Sequence, residues 1–403
     1  MTLGLWLGAG LLVLAGALTF GELAARRPES GGLYVYLRDA WGERAAFLYG
    51  WQCLLILDPG VTAGLATGLA RYVIAVFPEA AGHERWIALA AVWILAAAPM
   101  AGLKPSVRAL GLLTGWKVLA LLAVPAVAFT VGHGSLAGFE PFFERRPGAP
   151  PLGEALAAGL IGVFFSFGGF WEASRLAGEI RVGDRALPRA LAAGTAAVTL
   201  IYVLTTAAFL YLVPADRARD GTAFARLAGE ALFGSSGPAL LAAIVVVSAA
   251  ASGLALLLMA PRVYVAMGRD GLFPAVLAAT SPASGAPTRA TALLAAIASV
   301  FVLSGTFEQI LAFFICTALA FVALAAAGLF RIRRREGATT GFRCPGYPLT
   351  PGLFIAFLAA VAGLVAAAHP VPVSVAFAMV ALGLPVHRVF SSRRRRSRRS
   401  PSA

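Results

Sequence analysis

The feature that most constrains this chain is its division into apolar runs of about 20 residues, separated by short polar or Pro- and Gly-containing stretches. A helix of that length crosses the ~30 Å hydrocarbon core of a bilayer. Only helices and closed barrels satisfy every backbone group in lipid, and these runs are far too long for barrel strands. The expected fold class is therefore an all-α polytopic membrane bundle. Dividing the chain at its polar clusters gives eleven candidate spans: 4–25, 45–77, 85–103, 109–132, 154–175, 187–213, 238–266, 288–305, 308–330, 350–368 and 371–390. A mean hydropathy of +0.82 with only 13% charged residues agrees, because soluble domains are nearer a quarter charged. Residues 1–390 read as one transmembrane domain, followed by a basic tail at 391–403.

The Lys and Arg residues set an orientation. Of 33, twenty-five fall in the connections around 26–44, 104–108, 175–189, 262–289 and 331–343 and in the tail; seven fall on the opposite side, and Lys117 lies within a span. The positive-inside rule makes the richer side cytoplasmic, with the C-terminus on it. Eleven spans then put the N-terminus outside, although about three residues precede the first run and no basic n-region or cleavage signal is seen. One further helix upstream of Met1 is the expectation.

Net charge is +14, but seven of the basic residues lie between Arg388 and Arg399, where anionic lipid headgroups are the expected partner rather than nucleic acid. Cys53, Cys316 and Cys344 show neither metal spacing nor a disulfide framework. His83, His133, His369 and His387 are scattered near segment ends and read as structural or surface residues. No cofactor or metal is implied, and no partner subunit can be read from the string.

One stretch stands out: FFSFGGFWE at 164–172, aromatic residues around a glycine pair with an acid behind it. Adjacent glycines invite local unwinding of a helix. Unwinding exposes backbone groups, which is tolerable only inside protein or beside a water-filled cavity. Secondary transporters bind substrate at such breaks. Glycines also allow close helix packing, so the stretch by itself leaves a binding break and a packing kink both open.

FGGFWEASRLAGEI followed by ALPRA resembles the sixth transmembrane helix of the amino acid–polyamine–organocation superfamily, with the L-type and related bacterial amino-acid permeases closest. GELAARRPESGGLYVYLRDAWG at 21–42 is similar to the stretch after that family's second helix, and PRVYVAMGRDGLFP at 261–274 resembles the segment closing its eighth. The likeness is collinear over about 10–390. It implies a LeuT-type inverted-repeat bundle of twelve helices, of which this chain would begin at the second. It further implies that the substrate ammonium meets the broken sixth helix at Phe165, Ser166, Phe167, Gly168 and Gly169, with Phe165 closing over the bound amino acid. The substrate carboxylate would bind at a broken first helix, upstream of Met1.

Three sets of charges are unusual for a membrane interior. Lys117 lies about eight residues into its run, ~12 Å, where a cation is costly and presumed functional unless it snorkels. The resemblance places it where sodium sits in sodium-coupled relatives, as a fixed ammonium with Ser252 as hydroxyl partner. Asp58, before Pro59, is either a specificity or proton site facing the substrate, or an acid held by a neighbouring polar group or facing the lumen end. Glu172 and Glu179, interleaved with Arg175 and Arg181, read as an ion-paired inner gate or as a solvated helix end; Glu22 with Arg26 and Arg27 reads the same way.

The leading function is a secondary transporter moving amino acids by exchange or proton-linked alternating access. A non-transporting sensor or decayed permease is the alternative. A membrane-embedded enzyme is disfavoured, because no HxxxD-type cluster, nucleophile motif or phosphate loop is present. The Ala- and Arg-rich composition points to a high-GC bacterium and hence to its inner, plasma membrane.

Overall fold

The structure is a computed structural model that describes residues 2–130, 134–139, 151–180, 185–213, 221–305, 307–337 and 341–399. Among these residues the chain is helical, with no strand. The first helix, α1 (Thr2–Arg26), leads through a short turn to α2 (Leu33–Trp41). Then α3 (Glu43–Gln52), a π turn (Cys53–Leu57) and α4 (Asp58–Val76) follow as one path. Next come α5 (Glu84–Ala101), α6 (Leu103–Thr130) and α7 (Leu152–Phe167), and a 3-10 segment (Phe170–Glu179) succeeds α7. The chain continues through α8 (Ala186–Leu212), α9 (Gly221–Phe233), α10 (Gly237–Met259), α11 (Pro261–Arg269) and α12 (Thr288–Ser304). It ends in α13 (Phe307–Glu336), α14 (Leu349–Ala368), α15 (Pro370–Ala381) and α16 (Gly383–Arg399).

Nine helical stretches among the described residues are long and apolar enough to cross a membrane, and Leu152–Phe164 and Thr288–Ser304 are shorter apolar helices. Together they coincide with the eleven apolar runs of the sequence. Two differences bear on the site. The run at 154–175 is helical only to Phe167, because the glycine pair ends it. α6 starts at Leu103, so Lys117 lies fourteen residues into its helix, ~21 Å rather than ~12 Å. α16 runs without interruption across 390–391.

α4 packs against α5, α10, α12 and α13, and α1 against α7, α8 and α14. Small residues permit this closeness, since lipid gives helices no hydrophobic incentive to associate and packing must supply it. A Cβ on Gly50 would lie 1.9 Å from Met267 Sδ, which fixes α3 hard against α11. Large apolar side chains such as Leu11, Ile94, Leu112, Leu119 and Val371 point outward instead, as a lipid-facing surface requires.

The π turn has a local cause. Proline at position 59 lacks an N–H, and its ring would clash with the carbonyl four residues back in a regular helix. Widening the turn relieves this, and the Asp58 amide bonds the Cys53 carbonyl, five residues back.

At the ends of α1 and α13 the charges form a network. Glu22, fully buried, accepts from Arg26 Nε (2.9 Å), Arg333 Nε (2.9 Å) and the Cys344 amide (2.7 Å). It is therefore a buried anchor and not a solvated helix end. Arg27 pairs with Asp39 (2.5 Å) and Glu336, and Arg38 pairs with Glu29, Asp39 and Asp270. Tyr34 donates to Asp270 at 2.6 Å; burial first, and that bond second, raise its hydroxyl well above the ordinary phenol value. All three cysteines are buried and free, and burial pushes the Cys344 thiol up to about 11. His387 is also buried, edge-on to Phe47, while His133 lies outside the described residues.

Candidate functional site

α7 ends where its sequence runs into Gly168 and Gly169. Gly169 has φ +100°, the left-handed region that L side chains rarely adopt, so the chain turns there and resumes as a tighter 3-10 helix. The C-terminal carbonyls of α7 therefore lose their next-turn partners, and they carry the negative end of the helix dipole. Ser166 and Gly168 are exposed, and the Ser166 carbonyl accepts a hydrogen bond from Tyr202 of α8 at 2.7 Å. Trp6, Phe167 and Tyr202 form an aromatic cluster beside it, and Phe164 stacks with Trp171 across the break. Phe167 is buried in this cluster; the Phe165 side chain lies outside the described ones.

The 3-10 segment docks on the turn after α1. Gly31 donates its amide to the Arg175 carbonyl at 3.1 Å. Gly32, at φ +55°, lies so close that an added Cβ would fall 2.7 Å from Ser174 Oγ. The PESGG stretch is thus the seat of the segment that follows the break.

Behind the break lies a buried charge cluster. Arg175, with no exposed surface, donates from one terminal nitrogen to both oxygens of Asp58 (3.2 and 3.1 Å). Its other terminal nitrogen donates to the Tyr49 hydroxyl (3.0 Å) and approaches Cys53 Sγ (3.6 Å). Tyr264 of α11 donates to the second Asp58 oxygen at 2.7 Å. Glu172 brings Oε2 to 2.6 Å from Arg175 Nε, but off the N–H direction, so neither atom has an aligned hydrogen bond. One guanidinium is thus shared by two carboxylates inside the bundle.

Arg175 and Tyr264 hold Asp58 inside the bundle. Glu179 pairs with Arg262 of α11 at 2.8 Å; Arg181 lies outside the described residues. Lys117 and Ser252 sit half-buried on α6 and α10, which pack together, but no hydrogen bond or ion pair joins the two. The sequence reading missed Arg175 as the partner of Asp58, and missed Tyr49, Tyr202 and Tyr264 altogether. A signal existed for the first, since a lone buried acid requires a cation. Nothing in the string chose Arg175, 117 residues away.

An all-helical bundle with many spans, a helix broken by glycines and a buried charge cluster beside the break has the form of a secondary transporter. The family comparison agrees: the family model described as "Amino acid permease" matches residues 1–385. The chain belongs to that amino-acid permease family, within the superfamily its motifs resemble. It is similar to the serine/threonine exchanger SteT of Bacillus subtilis (strain 168), with 28% identity over 360 residues, 88% of this chain and 81% of the relative. The human cystine/glutamate transporter is 26% identical over 406 residues, 97% of this chain and 78% of the relative. The mouse b(0,+)-type amino acid transporter 1 is 24% identical over 336 residues, 82% of this chain and 68% of the relative. The chain is a multi-pass membrane transporter for amino acids and not an enzyme.

Proposed function

We propose that the protein exchanges amino acids across the membrane, binding the substrate's ammonium group at the break after α7. The observation that carries this reading is the open C-terminal end of α7: carbonyls without helical partners, next to exposed Ser166 and Gly168, at the negative end of a helix dipole. Phe165, Phe167 and Gly169 complete the substrate-binding stretch, with Phe165 as the closing aromatic. The similarity to an exchanger over most of the chain supports exchange as the mode.

The 3-10 segment serves as the inner gate. Arg175–Asp58 and Glu179–Arg262 join it to α4 and α11, and both pairs must part for the segment to swing away. Lys117, which makes no ion pair or hydrogen bond among the described residues, acts as a fixed cation in the middle of α6, so transport needs no sodium. The basic end of α16 rests on anionic headgroups at the cytoplasmic face of the plasma membrane.

The test is counterflow. Proteoliposomes preloaded with unlabelled serine or threonine should accumulate labelled serine, and empty ones should not. Absence of any saturable, preload-dependent flux would refute the proposal.

A further inference from the structure

The cluster behind the break does not balance its charge. Asp58 and Glu172 bring two carboxylates and Arg175 one guanidinium. Among the described residues, the other titratable groups of the cluster are the Tyr49 and Tyr264 hydroxyls and the Cys53 thiol, none of them cationic. An uncompensated charge inside a bundle is costly, so the site lacks one positive charge.

The geometry shows which carboxylate answers for the deficit. Asp58 is 2% exposed, and both of its oxygens receive direct hydrogen bonds from Arg175 and Tyr264. It has no access, both of its oxygens are hydrogen-bonded, and it is the counter-ion of Arg175 while the segment is docked. Glu172 differs in both respects. Its Oε2 is buried without an aligned donor, and Arg175 Nε opposite lacks an aligned acceptor, while 16% of the Glu172 side-chain surface stays open elsewhere. It also sits one turn past the glycine pair, its amide bonded to the Gly169 carbonyl at 2.9 Å, beside the exposed end of α7. The N-terminal position in the 3-10 segment favours the anion, but this dipole effect is small beside an unpaired buried charge.

We propose that Glu172 is the proton site of this transporter: it is a neutral carboxylic acid when no amino acid is bound, and it ionises when the substrate's ammonium group arrives beside it. The proton leaves the carboxyl group for water, and the ammonium supplies the missing positive charge in its place. The cluster is neutral at both stages, so the swap balances. Over a full exchange cycle the proton lost on one side is regained when the counter-substrate leaves, and no net proton crosses. This inference rests on the placement of the ammonium at the break.

The experiment is calorimetric titration of serine into the purified protein in two buffers of different ionisation enthalpy, near pH 7. The wild type should release about one proton per serine bound. Glu172→Gln should bind serine without release. Asp58→Asn should also lose the release, because removing that carboxylate cancels the charge excess and leaves Glu172 ionised from the start; a purely structural role for Asp58 would not move this readout. Glu84→Gln, on the far surface, should keep it. Serine binding to the wild type without release, or release that persists in Glu172→Gln, overturns the proposal. Release prompted by lysine and not by serine overturns it as well, in favour of a cationic side chain as the missing charge. A second readout separates it from the transport reading. Infrared difference spectra should show the carbonyl band of a protonated carboxylic acid in the wild type, absent from Glu172→Gln and Asp58→Asn. If serine does not bind at all, the ammonium site fails and this band alone decides whether Glu172 holds a proton.

Discussion

Replacing Arg175 with Met is expected to lower the unfolding free energy by about 3–5 kcal/mol, the usual cost of removing one partner from a buried ion pair. The structure allows the figure to be worked independently. At 3.1 Å and an effective dielectric of about 20, the guanidinium–carboxylate attraction with Asp58 is about 5 kcal/mol. Part of this is recovered in the variant, because Asp58 takes up a proton rather than stay charged without its partner. Asp58→Asn should cost less, about 1–3 kcal/mol. Glu172 remains at 2.6 Å from the guanidinium, and the amide oxygen still accepts from Tyr264. The double variant should fall short of the summed losses by about 2 kcal/mol or more, since the second change no longer strands a charge. Reversible unfolding in mixed SDS micelles, followed by tryptophan fluorescence, measures all three. Losses below about 0.5 kcal/mol for both single variants, adding without coupling, would show that the pair contributes nothing and would refute the reasoning.

Tyr202→Phe should free the Ser166 carbonyl and tighten serine binding by up to about tenfold, the worth of one hydrogen bond, seen as a lower KM in counterflow with little change in kcat. Gly169→Ala, forced to φ +100°, should cost about 1–2 kcal/mol of stability and abolish counterflow even where the protein remains folded, measured by unfolding and flux side by side. Counterflow should proceed unchanged when sodium is replaced by choline, and Lys117→Ala should abolish it; sodium dependence in the wild type would remove the fixed-cation role. With its thiol pushed up to about 11 by burial, Cys344 is about a thousandth thiolate at pH 8. Maleimide labelling there should be slow and should rise steeply as pH approaches 11, which mass spectrometry resolves residue by residue.

Much of the architecture could be read from the string because its cause is local. Hydropathy over some twenty residues suffices to draw a helix across lipid, so the runs at 4–25 and 350–368 reappear as α1 and α14 with little change. The glycine pair likewise announced its break, for a helix cannot pass a residue at φ +100° unaltered. What escaped was every relation across distance. Asp58 and Arg175 each looked anomalous in its own run, and each needed a partner, but pairing is a property of how helices pack. Glu22 looked like a helix end at the surface, and only the return of α13 and the Cys344 loop over it makes it a buried anchor. Tyr49, Tyr202 and Tyr264 carry no signature at all, because a phenol in an apolar run reads as core until its hydroxyl finds a hydrogen-bond partner.

The π turn at Cys53–Leu57 makes the chain tolerant of length at one point. It holds one residue more than an α-turn and absorbs the surplus by widening, because the Asp58 amide reaches the carbonyl five residues back instead of four. Deleting a single residue between Cys53 and Leu57 would remove the surplus and the wide turn together, so α4 would keep its face toward α5, α10 and α12, and the ring of Pro59 against the preceding turn would be the main cost. A deletion one turn later, inside α4, has no wide turn to take it up and would rotate everything after it by about 100°. A one-codon deletion in the π turn should therefore be milder than the same deletion within α4.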